Sequence, residues 1–384
     1  MSRLEELIKK LCPNGVEYKK ISSFTKVLRG KRLTKDKLSE ENSIPVYHGG
    51  IEPLGYYGRA NRPANMVMLI NVGASAGTVA YSDKEFWSSD GCFCIDKNEE
   101  MDDRYLYHYL KNNEYYFMSK VRKAGIPTLD NFIVEEFKIP VPPLEVQCEI
   151  VRILDSFTLL TAELTAELTA RKKQYQHYLN SFFENQKDNL VPLSSLGTIT
   201  RGKRFVHADA TETGVPCIHY GELYTFYGVH ANTVKSHIRE ELRPKMRYAH
   251  KGDVIIVGAG ENNIDIGVGV AWEGNEDVAV HDACYTLCHS QNSKYISFYL
   301  RSDMYHNQIK KYVSEGKVCS ISATGLGKAL IPLPSITEQK RIVSILDRFD
   351  SLCNDITTGL PAEIEARQKQ YEFYRDKLLS FKQL

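Results

Sequence analysis

No run of about eighteen apolar residues occurs in the 384-residue chain, which excludes a membrane-spanning helix of ordinary length. The opening stretch, MSRLEELIKKLCPNGVEYKK, lacks the apolar segment of a secretory signal, so a cytoplasmic address is expected. There is no G-x-x-x-x-G-K-[ST] loop to cradle phosphates, which excludes a P-loop translocase. An amino-methyltransferase would hold its flipped base with an Asn/Asp-Pro-Pro-aromatic motif, yet the only Pro-Pro is Pro142-Pro143, preceded by Val141. The glycine-rich stretch Val257–Trp272 lacks the third glycine of a dinucleotide fingerprint, so Gly258 and Gly260 are expected in a turn between strands. The nine cysteines, from Cys12 to Cys353, are odd in number and lack paired two-residue spacing; reduced thiols are expected, with neither zinc nor disulfides. The eleven histidines are scattered, and only His219 has a histidine counterpart, His48, so a structural or groove-lining role is expected rather than metal binding. A formal charge of +1 gives no global basic signature, so a nucleic-acid partner would need positive charge gathered on one face.

What the chain does have is itself, twice. IPVPPLEVQCEIVRILDSFTLL from Ile139 returns without a gap as IPLPSITEQKRIVSILDRFDSL from Ile331. Related tails begin at Arg171 and Arg367, and related segments precede, ISSFTKVLRGKRL from Ile21 and LSSLGTITRGKRF from Leu193. Between them Ile44–Gly50 parallels Val215–Gly221, and Phe86–Phe93 parallels Val278–Tyr285. The chain is a duplicated unit of variable domain then helix. In the variable halves, apolar runs such as Asn65–Ala74 and Asp253–Gly260 suit buried strands, and Asp102–Val121 and Ser293–Val313 suit amphipathic helices. Each half is expected to be a small α/β domain.

The segments after the prolines are helical by period. Ile150, Leu154, Phe157, Thr161, Leu164, Leu168, Arg171, Tyr175, Tyr178 and Phe182 alternate steps of four and three, a heptad seam. A continuous helix from Leu144 to Phe183 would be about 60 Å long. The second copy keeps its seam through Ile342, Leu346, Phe349, Cys353, Ile356 and Leu360, then inserts four residues before Ile364, Arg367 and Tyr371, with a kink expected at Gly359 and Pro361. The two helices are expected to pair antiparallel, burying stripes that neither could leave in water.

Basic clusters recur at aligned places. Arg29, Lys31 and Arg32 in one RGKR match Arg201, Lys203 and Arg204 in the other, each just after an expected strand where a loop can face phosphate. Lys35, Lys37, Arg122 and Lys123 are further candidates in the first half, and Arg239, Arg243, Lys245, Arg247, Lys251 and Lys317 in the second.

These residues carry a resemblance. CPNGVEYKKI near the start, Gly125–Leu129 ahead of the first proline pair, the doublet TAELTAEL (Thr161–Leu168) and GLPAEIEARQKQYEFYRDKLLSF near the end resemble the specificity subunit of type I restriction-modification systems, in the subgroup whose spacer carries Thr-Ala-Glu-Leu repeats. The resemblance implies an α+β chain in which two target-recognition domains are separated by two conserved helices pairing as an antiparallel coiled coil: domains 1–140 and 187–332, spacers 141–186 and 333–384. It implies a prokaryotic, non-catalytic subunit that reads a bipartite double-stranded DNA target and scaffolds two methyltransferase subunits and restriction subunits. S-adenosylmethionine, ATP and magnesium would then belong to those partners, with no cofactor or metal on this chain. The alternatives are a coiled-coil adaptor that binds only protein, against which the basic loops argue, and a methyltransferase or endonuclease acting by itself, against which the missing motifs argue.

Overall fold

The structure, a computed structural model, describes residues 3–186 and 189–384. Residues 187 and 188, where the second recognition domain is expected to begin, lie outside the described residues. The chain divides into two compact units, Met1–Glu163 with Ile364–Leu384, and Leu164–Glu363. The division therefore passes through both helical regions instead of falling at their ends.

In the first unit a four-stranded antiparallel sheet runs in the order Val27–Arg29, Cys92–Ile95, Met66–Ile70, Val79–Ser82. All five residues of Met66–Ile70 are buried, because both faces of the sheet are covered. Side chains alternate between faces along a strand. Val67 and Leu69 accordingly join the larger core with Phe93, Ile95, Tyr105 and Leu110, while Met66, Met68 and Ile70 join a smaller one with Phe86, Cys92 and Cys94. A second, three-stranded sheet pairs Gly55–Tyr57, Ile44–Tyr47 and Trp87–Ser88 in that order.

The second unit repeats this plan with longer sheets. One runs Gly197–Arg201, Cys284–His289, Val254–Val257, Gly269–Trp272, His230–Ala231, and the other Ala210–Thr211, Ser236–Ile238, Val215–Ile218, Val278–Val280, Tyr248–Ala249. The two segments expected as single helices each break into two, Asp103–Asn112 with Glu114–Ser119 and Ser293–Tyr299 with Asp303–Ile309. In the second unit the cause is explicit: the Ser302 side chain accepts from the Tyr305 N–H and starts a new helix.

Two residues shared by the duplicated segments, a glutamine and an aspartate, form one repeated joint. Gln147 and Gln339 are both fully buried. The Gln147 side-chain oxygen accepts from the Asp102 N–H at 2.8 Å, and its amide donates to the oxygens of Glu100 and Pro142. Gln339 likewise accepts from Asn292 N–H at 3.1 Å and donates to Pro334 O and Gln291. Asp102 and Asn292 are the N-caps of the helices that cover each sheet. Two turns further along, the repeated aspartates pair with the same helices: Asp155 with Arg104 (Nε at 3.2 Å) and Asp347 with Lys294 at 3.1 Å. Each long helical segment is thus locked to the α/β fold that precedes it, and the two buried glutamines have their polar groups satisfied.

Leu144–Glu184 is one continuous helix of 41 residues. Ile150 and Leu154 are fully buried in the first unit's core, and from Phe157 to Tyr175 the seam positions Phe157, Leu164, Leu168 and Tyr175 are half-buried in a largely exposed stretch. In the first unit Phe157 stacks on Tyr374 of the C-terminal helix, with centroids 5.5 Å apart. In the second, Tyr178 meets Phe349 at 5.2 Å, Tyr175 donates to Asp350 at 3.4 Å, and Arg171 and Lys172 lie beside Cys353. Those contacts run in opposite directions along the two helices, so they pair antiparallel. Ile342, Leu346, Cys353 and Leu360 are buried, and Tyr371 is half-buried. Ile356, expected on the seam, is not: it lies in the turn between Ile336–Asn354 and Leu360–Leu378 and is 76% exposed. The Asp355 carboxylate accepts from the N–H groups of Thr357 and Thr358 at 2.7 and 3.2 Å and from both hydroxyls, which diverts the chain from helix there. These hydrogen bonds also hold its pKa far below the usual carboxylate range.

Candidate nucleic-acid interface

Each RGKR sequence starts at the last residue of a strand and turns onto the neighbouring sheet. Lys31 N–H donates to Ser88 O at 2.8 Å, and Lys203 N–H donates to Val280 O at 2.9 Å. The glycine between the cations is required by this approach. A Cβ on Gly30 would sit 1.8 Å from Ser89 O, and one on Gly202 would sit 2.2 Å from His281 O.

The same loop order then continues in both units. Ser89 N–H donates to Tyr47 O at 2.9 Å, as His281 N–H does to Ile218 O at 3.2 Å. Asn71 N–H donates to Gly91 O, as Gly258 N–H does to Ala283 O. Leu129 N–H donates to Asn71 O, as Ile321 N–H does to Gly258 O. The last loop is a hairpin closed by Arg122 and Thr128 in one unit and by Ser314 and Ser320 in the other. Each unit therefore carries a continuous rim of loops running from basic loop through a histidine corner and a glycine-rich turn to a hairpin. Counted from these bridges, Lys317 rather than Gly316 takes the place of Gly125.

The rim gathers Arg29, Lys31, Arg32, Arg122 and Lys123 in the first unit and Arg201, Lys203, Arg204, Arg247 and Lys317 in the second. Several carry local partners. Arg122 pairs with Asp130 at 2.9 Å, and Arg201 Nε donates to Asp282 O at 2.6 Å. Arg239 pairs with Asp209, and Arg243 with Glu240, beside Leu242 and Met246, which pack against the small core that holds Phe205, just past the second basic loop. Lys35 and Lys37 are exposed on a short 3-10 turn, and Lys245 is exposed at the end of another. Lys251 is not brought to the rim. It precedes the strand Val254–Val257, whose other end leads into Gly258, and bonds Asn275 at 2.8 Å.

The histidine corner differs in character between the halves. His48 Nδ1 lies 3.3 Å from Asp90 in the first unit. In the second, His281 packs edge-on to Phe205 at 4.9 Å and 4.6 Å from His219, which also contacts Tyr220. His281 Nδ1 accepts from Ala283 N–H and Nε2 donates to Phe205 O, which fixes the neutral tautomer. Burial holds the pKa of both His219 and His281 below the ordinary value, so at neutral pH an uncharged aromatic group borders the cationic loop. Among the described residues no group of three or more His, Cys, Asp or Glu side chains could hold a metal ion, and no helix is long and apolar enough to cross a membrane.

A family model described as the type I restriction modification DNA specificity domain matches this chain twice, over residues 13–171 and 187–366. The chain belongs to that family. It is 30% identical over 384 aligned positions to a putative type I restriction enzyme specificity subunit of Haemophilus influenzae, covering 95% of this chain and 96% of the relative. A type I restriction enzyme specificity subunit of Escherichia coli is 34% identical over 301 positions, 72% of this chain and 70% of its own. The crystal structure of a type I restriction-modification S subunit from M. genitalium matches with a TM-score of 0.60 at 17% identity, over 96% of this chain and 97% of that one. A chain from a type I restriction-modification assembly matches with a TM-score of 0.58 at 17% identity, over 96% and 98%. These two likenesses are of fold.

Members of this family are the DNA-specificity part of their systems, not the catalytic part. One residue that braces a basic loop escapes a reading of sequence alone. Arg62 donates from Nη2 to Arg29 O at 2.7 Å, the counterpart of Arg247 Nη1 donating to Arg201 O at 2.7 Å. Both guanidinium groups clamp the carbonyl that leads into a basic loop. The available signal was position, since each arginine shortly precedes the buried strand of its sheet.

Proposed function

We propose that the chain is the DNA-recognition and assembly subunit of a type I restriction-modification enzyme in a prokaryotic cytoplasm, of the subgroup with Thr-Ala-Glu-Leu spacer repeats. The observation that carries this reading is the rim built twice by equivalent hydrogen bonds, each copy led by Arg-Gly-Lys-Arg. Two similar rims suit a split target in which each unit reads one short half and the DNA between goes unread. Cations at phosphates set register, and uncharged groups beside them are free to meet base edges. On this reading residues 1–140 and 187–332 are the recognition domains, and 141–186 and 333–384 are the spacers.

On this reading the partner surface is duplicated as well. The two Gln-and-Asp joints leave equivalent helical flanks, which offer two equivalent places for methyltransferase subunits, with restriction subunits joining the assembly. S-adenosylmethionine, ATP and magnesium belong to those partners. An adaptor that binds only protein would have no use for two matched basic rims.

Labelled methyl transfer tests this reading. The purified chain should transfer none to DNA by itself, and transfer should appear when its methyltransferase is added, saturating at two methyltransferases per chain. Transfer by the chain alone, or saturation at one per chain, would contradict it.

A further inference from the structure

The hairpin that ends each rim leaves one apolar side chain in water. Ile126 is 71% exposed and Val318 is 56% exposed. Single exposed apolar residues are ordinary on protein surfaces. These two occupy the same position, each two residues before the bridging Thr128 or Ser320. The rest of the two tips has diverged: Lys123, Ala124 and Gly125 stand where Glu315, Gly316 and Lys317 stand, and all six are exposed. Only a β-branched apolar residue followed by a hydroxyl residue two places on is common to both. The next residue in each, Leu129 or Ile321, is buried, so the hairpins are anchored at the base while the tips are free.

Packing within the chain gives no reason to place an apolar branch at both tips. The setting gives one. Each tip stands on the rim that begins at an Arg-Gly-Lys-Arg loop, with Lys123 or Lys317 within a few residues, so its counterpart surface carries negative charge outside and apolar groups within. Duplex DNA has that combination, with phosphates flanking grooves that expose thymine methyl groups and base steps into which apolar side chains insert.

We propose that Ile126 and Val318 are apolar base-contacting tips, each entering a groove of the half-site faced by its own unit. The proposal rests on the DNA-recognition reading above. An apolar contact neutralises no phosphate, so it contributes to sequence selectivity without contributing to salt dependence.

The test uses the full chain assembled with its methyltransferase, titrated with cognate duplex, with duplexes carrying one base-pair change in either half, and across salt. Ile126→Ser should lower cognate affinity about tenfold and relax selectivity in one half-site only, with the salt slope unchanged. Val318→Ser should do the same in the other half-site, and Ile126→Val should restore binding. Unchanged affinity and selectivity in both serine variants, while the parent complex reads both halves, would overturn this proposal alone. Weakened assembly with the methyltransferase at unchanged DNA selectivity would make the tips protein contacts and overturn it as well. A parent complex without sequence-selective DNA binding would instead overturn the underlying reading along with it.

Discussion

Arg247 Nη1 donates a 2.7 Å hydrogen bond to the main-chain oxygen of Arg201, so one cation holds the loop on which another is presented. Hydrogen bonds with an ionised donor are stronger than neutral ones, so this one restrains the exposed loop. Arg247→Ala is expected to weaken DNA binding for all sequences and to speed hydrogen exchange at the Gly202 and Lys203 amides. Unchanged exchange at those two amides would show that Arg247 does not position the loop. Arg62→Ala should act on Gly30 and Lys31 in the same way.

Replacing Arg201, Lys203 and Arg204 with Ala removes three cations while leaving the glycine turn in place. Binding to specific and non-specific duplex should weaken together, and the salt dependence should flatten by about one unit of slope for each phosphate no longer neutralised. The same change at Arg29, Lys31 and Arg32 should behave alike. A salt slope that stays the same in both variants would mean that these loops are solvated surface only.

Acid should loosen the second unit before the first. Burial lowers the pKa of His219, His281, His289 and His306 from the ordinary 6.5, whereas the described residues of the first unit hold one such group, His108. The unfolded chain takes up protons as pH falls through 6.5 and the folded unit does not, so folded stability declines below that pH. His250 opposes this, since its hydrogen bond to Asp277 raises its pKa. Hydrogen exchange at pH 7.5 and pH 5.5 should show a larger loss of protection in the strands Val254–Val257 and Cys284–His289 than in Met66–Ile70 and Cys92–Ile95. Equal losses would contradict the assignment of these histidines as neutral in the folded unit.

The Thr-Ala-Glu-Leu doublet lies inside the uninterrupted helix Leu144–Glu184, with Leu164 and Leu168 half-buried on its seam. One more unit of four residues advances a helix by about 6 Å and turns its downstream part by roughly 400°, about 40° past a full turn. A base pair turns DNA by about 34–36°. The rise exceeds the roughly 3.4 Å of a base-pair step, so the rod is expected to incline to the DNA axis or the complex to flex. A chain with three units should recognise the same two half-sites with a spacer one base pair longer. An unchanged spacer, or altered half-site bases, would show that the repeat does not set the spacing.

The features visible in the sequence obey short-range rules. Met66–Ile70 and Val254–Val257 stand out as apolar runs bounded by turns, and the seam from Ile150 to Tyr175 as a heptad, because burial imposes those periods directly. Ile356 is misplaced by periodicity because the heptad continues through it arithmetically while the Asp355 carboxylate captures N–H groups just beyond it. Arg62 escapes notice because its role arises from a bond to a carbonyl 33 residues away, which no local pattern records. The rim itself is half visible: the matching basic loops are apparent, but their connection through Ser88, Gly91 and Asn71 to the hairpins arises only from sheet pairing.

The central claim is that one chain reads two separated DNA words. Single-molecule mapping of methylated bases in a host that carries this chain with its methyltransferase tests it most directly, compared with the same host lacking the chain. The account predicts one chain-dependent motif made of two short defined halves around a gap of fixed length and unspecified sequence. A single uninterrupted motif, or methylation that persists without the chain, would contradict it.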